Sequence, residues 1–376
     1  MGEKGACMKI LVTGAKGFIG KNLVAELKNQ GYTDIFEYDR DTGTELLEYY
    51  TKACEFIFHL AGVNRPIDEQ AFIDGNVSFL EELLERLRSH HNKATVLMTS
   101  SIQANLDNPY GKSKKRAEEL LFAYGEVTGA KVMVYRLPNV FGKWCRPDYN
   151  SAVATFCARI AADLPIQISD PKVLMNLVYI DDVMKEFIRA LKGNEYKSGS
   201  YCKVEPVHTM TLGEIADSIK SFKKSREELS IPNMSEAITK KLYSTYLSYL
   251  PVDSLSYALK MNEDNRGSFT EFIRTPDRGQ IAVNISKKGI TKGNHWHHTK
   301  NEKFLVVSGK GCIHLRKIDS DEVISYYVSG EKLEVIDIPV GYTHNIINEG
   351  EGDMVTVMWA NTAFDVENPD TYYLEV

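Results

Sequence analysis

The chain has 376 residues, 43% of them hydrophobic, a length and composition that predict at least two domains with ordinary soluble-protein cores. Forty-five Lys and Arg against 51 Asp and Glu give a net charge of −6, with no long basic run, which argues against nucleic acid as a partner. No apolar run is long enough to span a bilayer, so a membrane partner is not expected either.

The six cysteines, Cys7, Cys54, Cys145, Cys157, Cys202 and Cys312, form no C-x-x-C pair and predict free thiols in a reducing compartment. Met1 to Cys7 fit no element, Met8 reads as the natural start, and no signal-peptide pattern precedes the first strand. A cytoplasmic location is therefore expected.

Lys9 to Thr13 is a short apolar strand that runs into Gly14-Ala-Lys-Gly17-Phe18-Ile19-Gly20 and then a helix over Lys21 to Asn29. Glycines in a strand–turn–helix setting let the backbone turn tightly and approach a pyrophosphate, which the helix N-terminus then meets with amide donors. Gly14, Gly17, Phe18, Ile19 and Gly20 are thus candidate cofactor contacts. A second strand, Ile35 to Tyr38, ends at Asp39-Arg40. An acid there suits the ribose of NAD and an arginine suits the 2′-phosphate of NADP, so both cofactors stay open. The third strand, Phe56 to Leu60, leads to Ala61-Gly62; Leu60, Ala61 and Gly62 are a further small-residue approach to the cofactor. A helix from about Asn76 to Ser89 and a strand from Thr95 to Thr99, ending in Ser100-Ser101, complete an alternation that predicts a parallel, doubly wound sheet.

Tyr110 and Lys114 follow at i, i+4, on one helix face. A nearby ammonium favours phenolate and lowers a tyrosine pKa. Such a tyrosine can exchange a proton with a carbonyl oxygen while a nicotinamide exchanges hydride at the carbon, and Ser101 can hydrogen-bond the same oxygen. Together with His59-Leu-Ala-Gly62, Arg136-Leu-Pro-Asn139 and Tyr179-Ile-Asp181-Asp182, these residues resemble the extended short-chain dehydrogenase/reductase family over about Met8 to Tyr243. The resemblance implies an NAD(P)-binding Rossmann domain acting on a nucleotide sugar, with Ser101, Tyr110 and Lys114 catalytic and Tyr110 and Lys114 also touching cofactor. The stretch between Ser101 and Tyr110 is shorter than in typical nucleotide-sugar members. That leaves open which of Ser100 and Ser101 meets substrate, and it points to Phe141 to Arg146 as a replacement wall.

Thr211 to Lys220 has helical periodicity, Lys223 to Glu228 reads as a solvated helix end, and the tyrosine-rich Lys240 to Tyr249 as a domain-joining segment. Pro251 marks the expected boundary, giving domains 8–250 and 251–376.

From Ser268 the pattern changes to short alternating strands with Gly-rich turns, as in a β-sandwich or barrel. His295 and His297 share a strand face, Glu302 can return on the next strand, and His344 lies downstream. Three imidazoles and a carboxylate suit a borderline divalent metal with an open position. His298 and His314 read as hydrogen-bonded residues outside this set. The spacing Gly289, His295, His297, Glu302, Gly309 resembles the first motif of the cupins. Pro339, Gly341, His344 and Asn348 resemble part of the second, with Leu333 in place of its leading glycine. A cupin β-barrel or jelly roll is implied. Lys292-Gly-Asn-His295 also resembles the deoxysugar 3,5-epimerase branch, where the histidine is the base and no metal is needed. We favour His295 as a metal ligand, which leaves Lys292, His298, Tyr326 and Tyr342 as candidate bases.

As a whole, the chain resembles the bifunctional capsular-polysaccharide enzymes of the UDP-N-acetyl-L-fucosamine pathway. That resemblance implies zinc, a homodimer and a UDP-linked 4-keto-6-deoxy-N-acetylhexosamine substrate. The cupin would epimerise C3 of a UDP-2-acetamido-2,6-dideoxy-4-hexulose. The reductase would then reduce C4 with NADPH, or NADH, to UDP-2-acetamido-2,6-dideoxy-L-talose for capsular or O-antigen polysaccharide. The alternative is a 4-keto-sugar reductase with a structural or dimerising cupin.

Overall fold

The computed structural model describes residues 8–64, 70–365, 367 and 369–376. Cys7 lies outside these residues; the other five cysteines are free thiols. Among the described residues no helix is long and apolar enough to cross a membrane.

The chain divides into two compact units, one holding the residues up to Lys220 with Ser235–Pro251, the other Ser221–Met234 with Val252–Val376. The division is not a single cut at Pro251. Residues Ser221–Met234 belong with the second unit because they are tied to it: Arg226 lies 4.7 Å from the Tyr257 ring and donates to the Ser254 carbonyl at 2.5 Å. The Leu229 carbonyl also accepts the Arg274 amide at 2.8 Å.

In chain order the first unit has β1 (Ile10–Thr13), α1 (Phe18–Asn29), β2 (Ile35–Tyr38), α2 (Thr44–Ala53), β3 (Phe56–His59), α3 (Gln70–Ile73), a π-turn over Asp74–Ser78 and α4 (Phe79–Ser89). It continues with β4 (Thr95–Ser101), α5 (Pro109–Thr128), β5 (Val132–Leu137), β6 (Asn139–Phe141), α6 (Ala152–Ala161), β7 (Leu174–Tyr179) and α7 (Ile180–Leu191). The last elements are β8 (Lys197–Ser198), β9 (Tyr201–Cys202), β10 (His208–Thr211), α8 (Leu212–Glu227), which runs on into the second unit, and α9 (Ala237–Leu247). The main sheet has the order β2-β1-β3-β4-β5-β9-β8, and β1 to β5 pair in parallel.

Both faces of this sheet are covered because its central strands carry apolar residues that point to either side. Ile10 and Val12 pack with Leu23 and Leu27 of α1 and Phe187 of α7. Leu11 and Ile57 point the other way, to Leu80 and Leu84 of α4 and Leu121 of α5. This is the alternation of a doubly wound α/β sheet.

Two local expectations change, at α1 and at Lys240 to Tyr249. α1 starts at Phe18 rather than Lys21, since Gly17 already holds the extended N-cap backbone. The charge run from Lys223 forms the end of α8, as its reading as a helix end implies, with the helix running to Glu227. Lys240 to Tyr249 is not a linker; most of it lies in α9, whose Leu242, Thr245 and Tyr246 are buried.

Apart from the end of α8 and a short helical turn at Val252–Ser254, the described residues of the second unit form β-structure. A six-stranded antiparallel sheet has the order β11 (Asn262–Asp264), β12 (Gly267–Thr275), β13 (Gly279–Ser286), β20 (Met354–Ala360), β15 (Glu302–Ser308), β18 (Val335–Ile338). A five-stranded antiparallel sheet has the order β17 (Val323–Ser329), β16 (Lys310–Lys317), β19 (Tyr342–Asn348), β14 (Thr291–Trp296), β21 (Tyr372–Tyr373). One apolar core draws on both: Phe304 and Met354 from the first, Ile313, Leu315 and Ile346 from the second.

Candidate functional site

In the first unit the glycine loop is built by close contact. Gly14 has φ +70°, and a Cβ there would lie 2.8 Å from the Ala61 amide nitrogen. At Gly20 a Cβ would lie 2.2 Å from the Gly14 carbonyl oxygen, so α1 can reach the loop only without a side chain at that position. Gly14, Gly17, Phe18, Ile19, Gly20, Leu60 and Gly62 line one cleft of about 590 Å³. Ala61 instead backs Gly14. Asp39 and Arg40 stand at the end of β2, outside the lining. The Asp39 carboxylate accepts the amides of Lys16 at 2.8 Å and Arg40 at 2.9 Å, while Arg40 is exposed.

Ser101, Tyr110 and Lys114 line the same cleft. Asn108 caps α5 by accepting the Gly111 amide at 2.7 Å, and Pro109 opens the helix, which sets Tyr110 and Lys114 on its first turns. The short connection before α5 fits because position 111 is glycine. A Cβ there would lie 2.3 Å from the Gln103 carbonyl oxygen. Both serines line the cleft; Ser100 donates to buried Glu118 at 2.5 Å, whereas Ser101 accepts the Gln103 amide at 3.2 Å and acts on the Tyr110 phenol.

Burial pushes the Tyr110 phenol up, against the lowering effect of Ser101. This corrects the expectation that Lys114 would lower it; the Lys114 ammonium nitrogen is 6.0 Å from the Tyr110 ring centre. Lys114 is itself buried, and burial brings its pKa down to about 8, opposed by Glu118. Glu118 in turn is held by Arg136, whose Nη2 is 2.5 Å from Oε2.

A stability prediction follows from Lys114. Its folded pKa lies below the ordinary 10.5, so the unfolded chain holds the proton more tightly between those values. Burying Lys114 therefore costs stability that is fully felt below pH 8 and disappears as pH rises past 10.5. Lys114→Met is expected to gain up to about 3 kcal/mol relative to wild type at pH 7 in the cofactor-free protein. The gain should shrink as pH rises from 8 to 10.5, read from urea unfolding at each pH. A pH-independent difference would overturn this account.

Asn76 was not singled out by sequence. It is buried in the π-turn, exchanges hydrogen bonds with both backbone groups of Val63 and donates to Ser113 at 3.1 Å. A Cβ on Gly62 would strike it at 2.8 Å and the Lys114 amine at 3.0 Å, so Asn76 sets the packing behind Lys114. An asparagine at the expected helix start was the available signal. Trp144, Cys145, Arg146 and Tyr149 also line this cleft, and the Arg146 guanidinium lies 5.2 Å from the Tyr149 ring centre.

In the second unit His295, His297, Glu302 and His344 come together, with one potential ligand atom from each within 4.8 Å of the others. The register explains it. His295 pairs directly with His344 across β14 and β19, and Glu302 opens β15 in the other sheet. Glu302 Oε2 is 3.2 Å from His344 Nε2 and 3.5 Å from His297 Nε2. By hydrogen-bond geometry, His297 Nε2, Glu302 Oε2 and both His344 ring nitrogens are buried without a partner. Burial, then the neighbouring His344, brings His295 down to about 4, which keeps it a neutral donor. Burial opposes ionisation of Glu302, but His297 and His344 hold its carboxyl far below the usual range. Three imidazoles and a carboxylate, half-buried or buried and converging on one point, are a donor set that could hold a divalent metal.

His295, Glu302 and His344 lie on the wall of a cavity of about 500 Å³ that also includes Lys292, Asp264 and Arg266. Of the four candidate bases, Lys292 alone is among its lining residues. Its ammonium donates to Asn284 Oδ1 and the Ile285 carbonyl, both at 2.8 Å, and burial lowers its pKa. His298 packs instead against Trp296 and Tyr372, Tyr326 is exposed on β17, and Tyr342 packs on the apolar core. His314 bonds Ser325 at 2.8 Å, away from this set.

The profile of the NAD-dependent epimerase/dehydratase family matches residues 10–201, and that of the polysaccharide biosynthesis C-terminal domain matches residues 262–372. A UDP-2-acetamido-2,6-beta-L-arabino-hexul-4-ose reductase from Pseudomonas aeruginosa is 45% identical, over 98% of this chain and 99% of that one. The crystal structure of the capsular polysaccharide assembling protein CapF from Staphylococcus aureus is similar with a TM-score of 0.93 at 55% identity, covering 98% of this chain and 100% of that one. WbmF from Bordetella bronchiseptica, solved in complex with NAD+, shares the fold at 17% identity and a TM-score of 0.55, over 65% of this chain and 93% of its own.

Proposed function

The chain belongs to the NAD-dependent epimerase/dehydratase family, and we propose that it is a bifunctional nucleotide-sugar enzyme of capsule or O-antigen synthesis. Its second unit, read as a cupin jelly roll, inverts C3 of a UDP-2-acetamido-2,6-dideoxy-4-hexulose. Its first unit reduces the C4 ketone to UDP-2-acetamido-2,6-dideoxy-L-talose. The observation that carries the reading is that each unit has its own cavity, one lined by Ser101, Tyr110 and Lys114 beside the glycine loop, the other by three members of an unpartnered metal-type donor set.

The C4 ketone acidifies the hydrogen at C3, and reduction destroys that ketone, so epimerisation comes first. His295, His297, Glu302 and His344 would hold zinc, which when bound supplies Lewis-acid polarisation of a carbonyl oxygen. Lys292, the candidate base on the cavity wall, has its pKa lowered by burial; as the free amine it would take the proton from C3, and the enolate would be reprotonated from solvent on its other face. In the first unit a bound nicotinamide supplies hydride. Ser101 would orient the C4 oxygen, Tyr110 would give it a proton, and Lys114 would anchor the ribose and restore the tyrosine. NADPH is the proposed donor, because the Asp39 carboxylate already accepts two amides and exposed Arg40 is beside it. A homodimer and a cytoplasmic location belong to the same proposal.

The test is NMR of the protein with a UDP-4-keto-6-deoxy-N-acetylhexosamine in heavy water without nicotinamide. Deuterium should enter at C3, and NADPH added afterwards, more effectively than NADH, should consume the ketone. No exchange followed by normal reduction would favour a reductase with a structural second unit.

A further inference from the structure

The loop that follows β14 is held from outside the β14–β19 pair by residue Asp370. Its Oδ1 accepts the His298 amide at 2.9 Å. Its Oδ2 accepts the amides of Thr299 and Lys300 at 2.8 and 2.9 Å and the Thr299 hydroxyl at 2.7 Å. The neighbouring Pro369 carbonyl accepts the Lys300 ammonium at 3.1 Å. Asp370 has φ +40°, a left-handed backbone that aspartate tolerates better than most residues. With the backbone turned this way, its carbonyl oxygen meets His297 Nδ1 at 2.5 Å.

A carbonyl only accepts, so Nδ1 of His297 carries the hydrogen. In the neutral ring Nε2 is then a bare lone pair, and it faces Glu302 Oε2 at 3.5 Å, an acceptor facing an acceptor. That arrangement is repulsive unless a metal cation or a second ring proton lies between the two. The alternative tautomer would let Nε2–H satisfy Glu302 and close the site.

We propose that Asp370 is a positioning residue for the metal site: its carboxylate locks the loop so that its own carbonyl selects the His297 tautomer that offers Nε2 to a cation. The proposal rests on the metal reading above and deepens it. β21, just beyond Asp370, pairs with β14 at His295 and Trp296, so the same short segment also braces the strand that carries His295.

The test uses the full chain, stripped of metal by a chelator and titrated with Co²⁺ alone, read from ligand-field absorption. Asp370→Ala is expected to weaken Co²⁺ binding about 10- to 100-fold, as loss of a ligand's outer partner does. Asp370→Asn keeps one acceptor oxygen and should lose less. In the metal-free protein labelled with ¹⁵N-histidine, His297 should show a protonated Nδ1, and Asp370→Ala should shift it toward the Nε2-protonated form. Undiminished Co²⁺ affinity or an unchanged tautomer in Asp370→Ala overturns the proposal while leaving the metal reading intact. A wild-type chain that takes up no Co²⁺ overturns both. If Asp370→Ala does not fold, Thr299→Val, which removes one bond of the clamp, takes its place, and undiminished affinity there counts against the proposal in the same way.

Discussion

Tyr110→Phe is expected to lower ketone reduction by about 10²- to 10⁴-fold while deuterium exchange at C3 continues. Reduction requires the tyrosine to give a proton, so it must be a phenol at working pH. Burial pushes its pKa up and only the Ser101 hydrogen bond pulls the other way, which keeps the hydroxyl protonated in the free enzyme. The phenylalanine ring keeps the packing against Phe72, 5.7 Å away between centres, and removes only the hydroxyl. The cofactor-free enzyme also predicts the shape of the pH profile: kcat/KM should fall on the alkaline side as Lys114 loses its proton near pH 8. NADPH consumption at 340 nm measures the first effect and NMR exchange the second. A Phe variant that reduces at the normal rate would remove Tyr110 as the proton donor.

The first unit was legible in sequence where one residue type has one physical reason to be present. Gly14 and Gly20 are required by backbone approach, and apolar β1 and β3 by burial on both faces. The Tyr110–Lys114 spacing was legible too, but its electrostatics were not. Proximity along a helix suggested that ammonium would dominate, whereas burial, a property of the whole fold, sets the direction for both residues. Asn76 and Glu118 escaped because their roles exist only through partners distant in the chain, Val63 and Ser113 for one, Arg136 and Ser100 for the other. In the second unit strand alternation found His295 on β14, but β14 ends at Trp296 and His297 lies just past it, and β19 was not legible as a strand. Tyr342-Thr-His-Asn places polar residues at buried positions, since Thr343, His344 and Asn345 serve the site and its surroundings rather than an apolar core. The same polarity that makes this strand functional hides it from an apolar pattern. Asp370 was invisible for a related reason: it acts on His297 through its backbone carbonyl, which carries no sequence signature.

His344→Ala is expected to abolish exchange at C3, to at least about 100-fold below wild type, and to release the metal. The case rests on position. His344 is paired opposite His295, its ring nitrogens have no other partner, and its Nε2 is one of two imidazole nitrogens facing Glu302 Oε2. Removing it takes away a ligand and leaves the largely buried Glu302 carboxylate with one polar neighbour fewer. Chelation should reproduce the loss of exchange in wild type, and added zinc should restore wild type but not the variant. The decisive comparison is between substrates. With a 4-ketone already inverted at C3, NADPH consumption by His344→Ala should continue, because that step needs Tyr110, Lys114 and Ser101. With the uninverted ketone the variant should form no L-talose product. If instead the variant still exchanges C3 while its melting temperature falls, the donor set holds the fold together and the proton chemistry belongs to other residues of the cavity, Lys292 first among them.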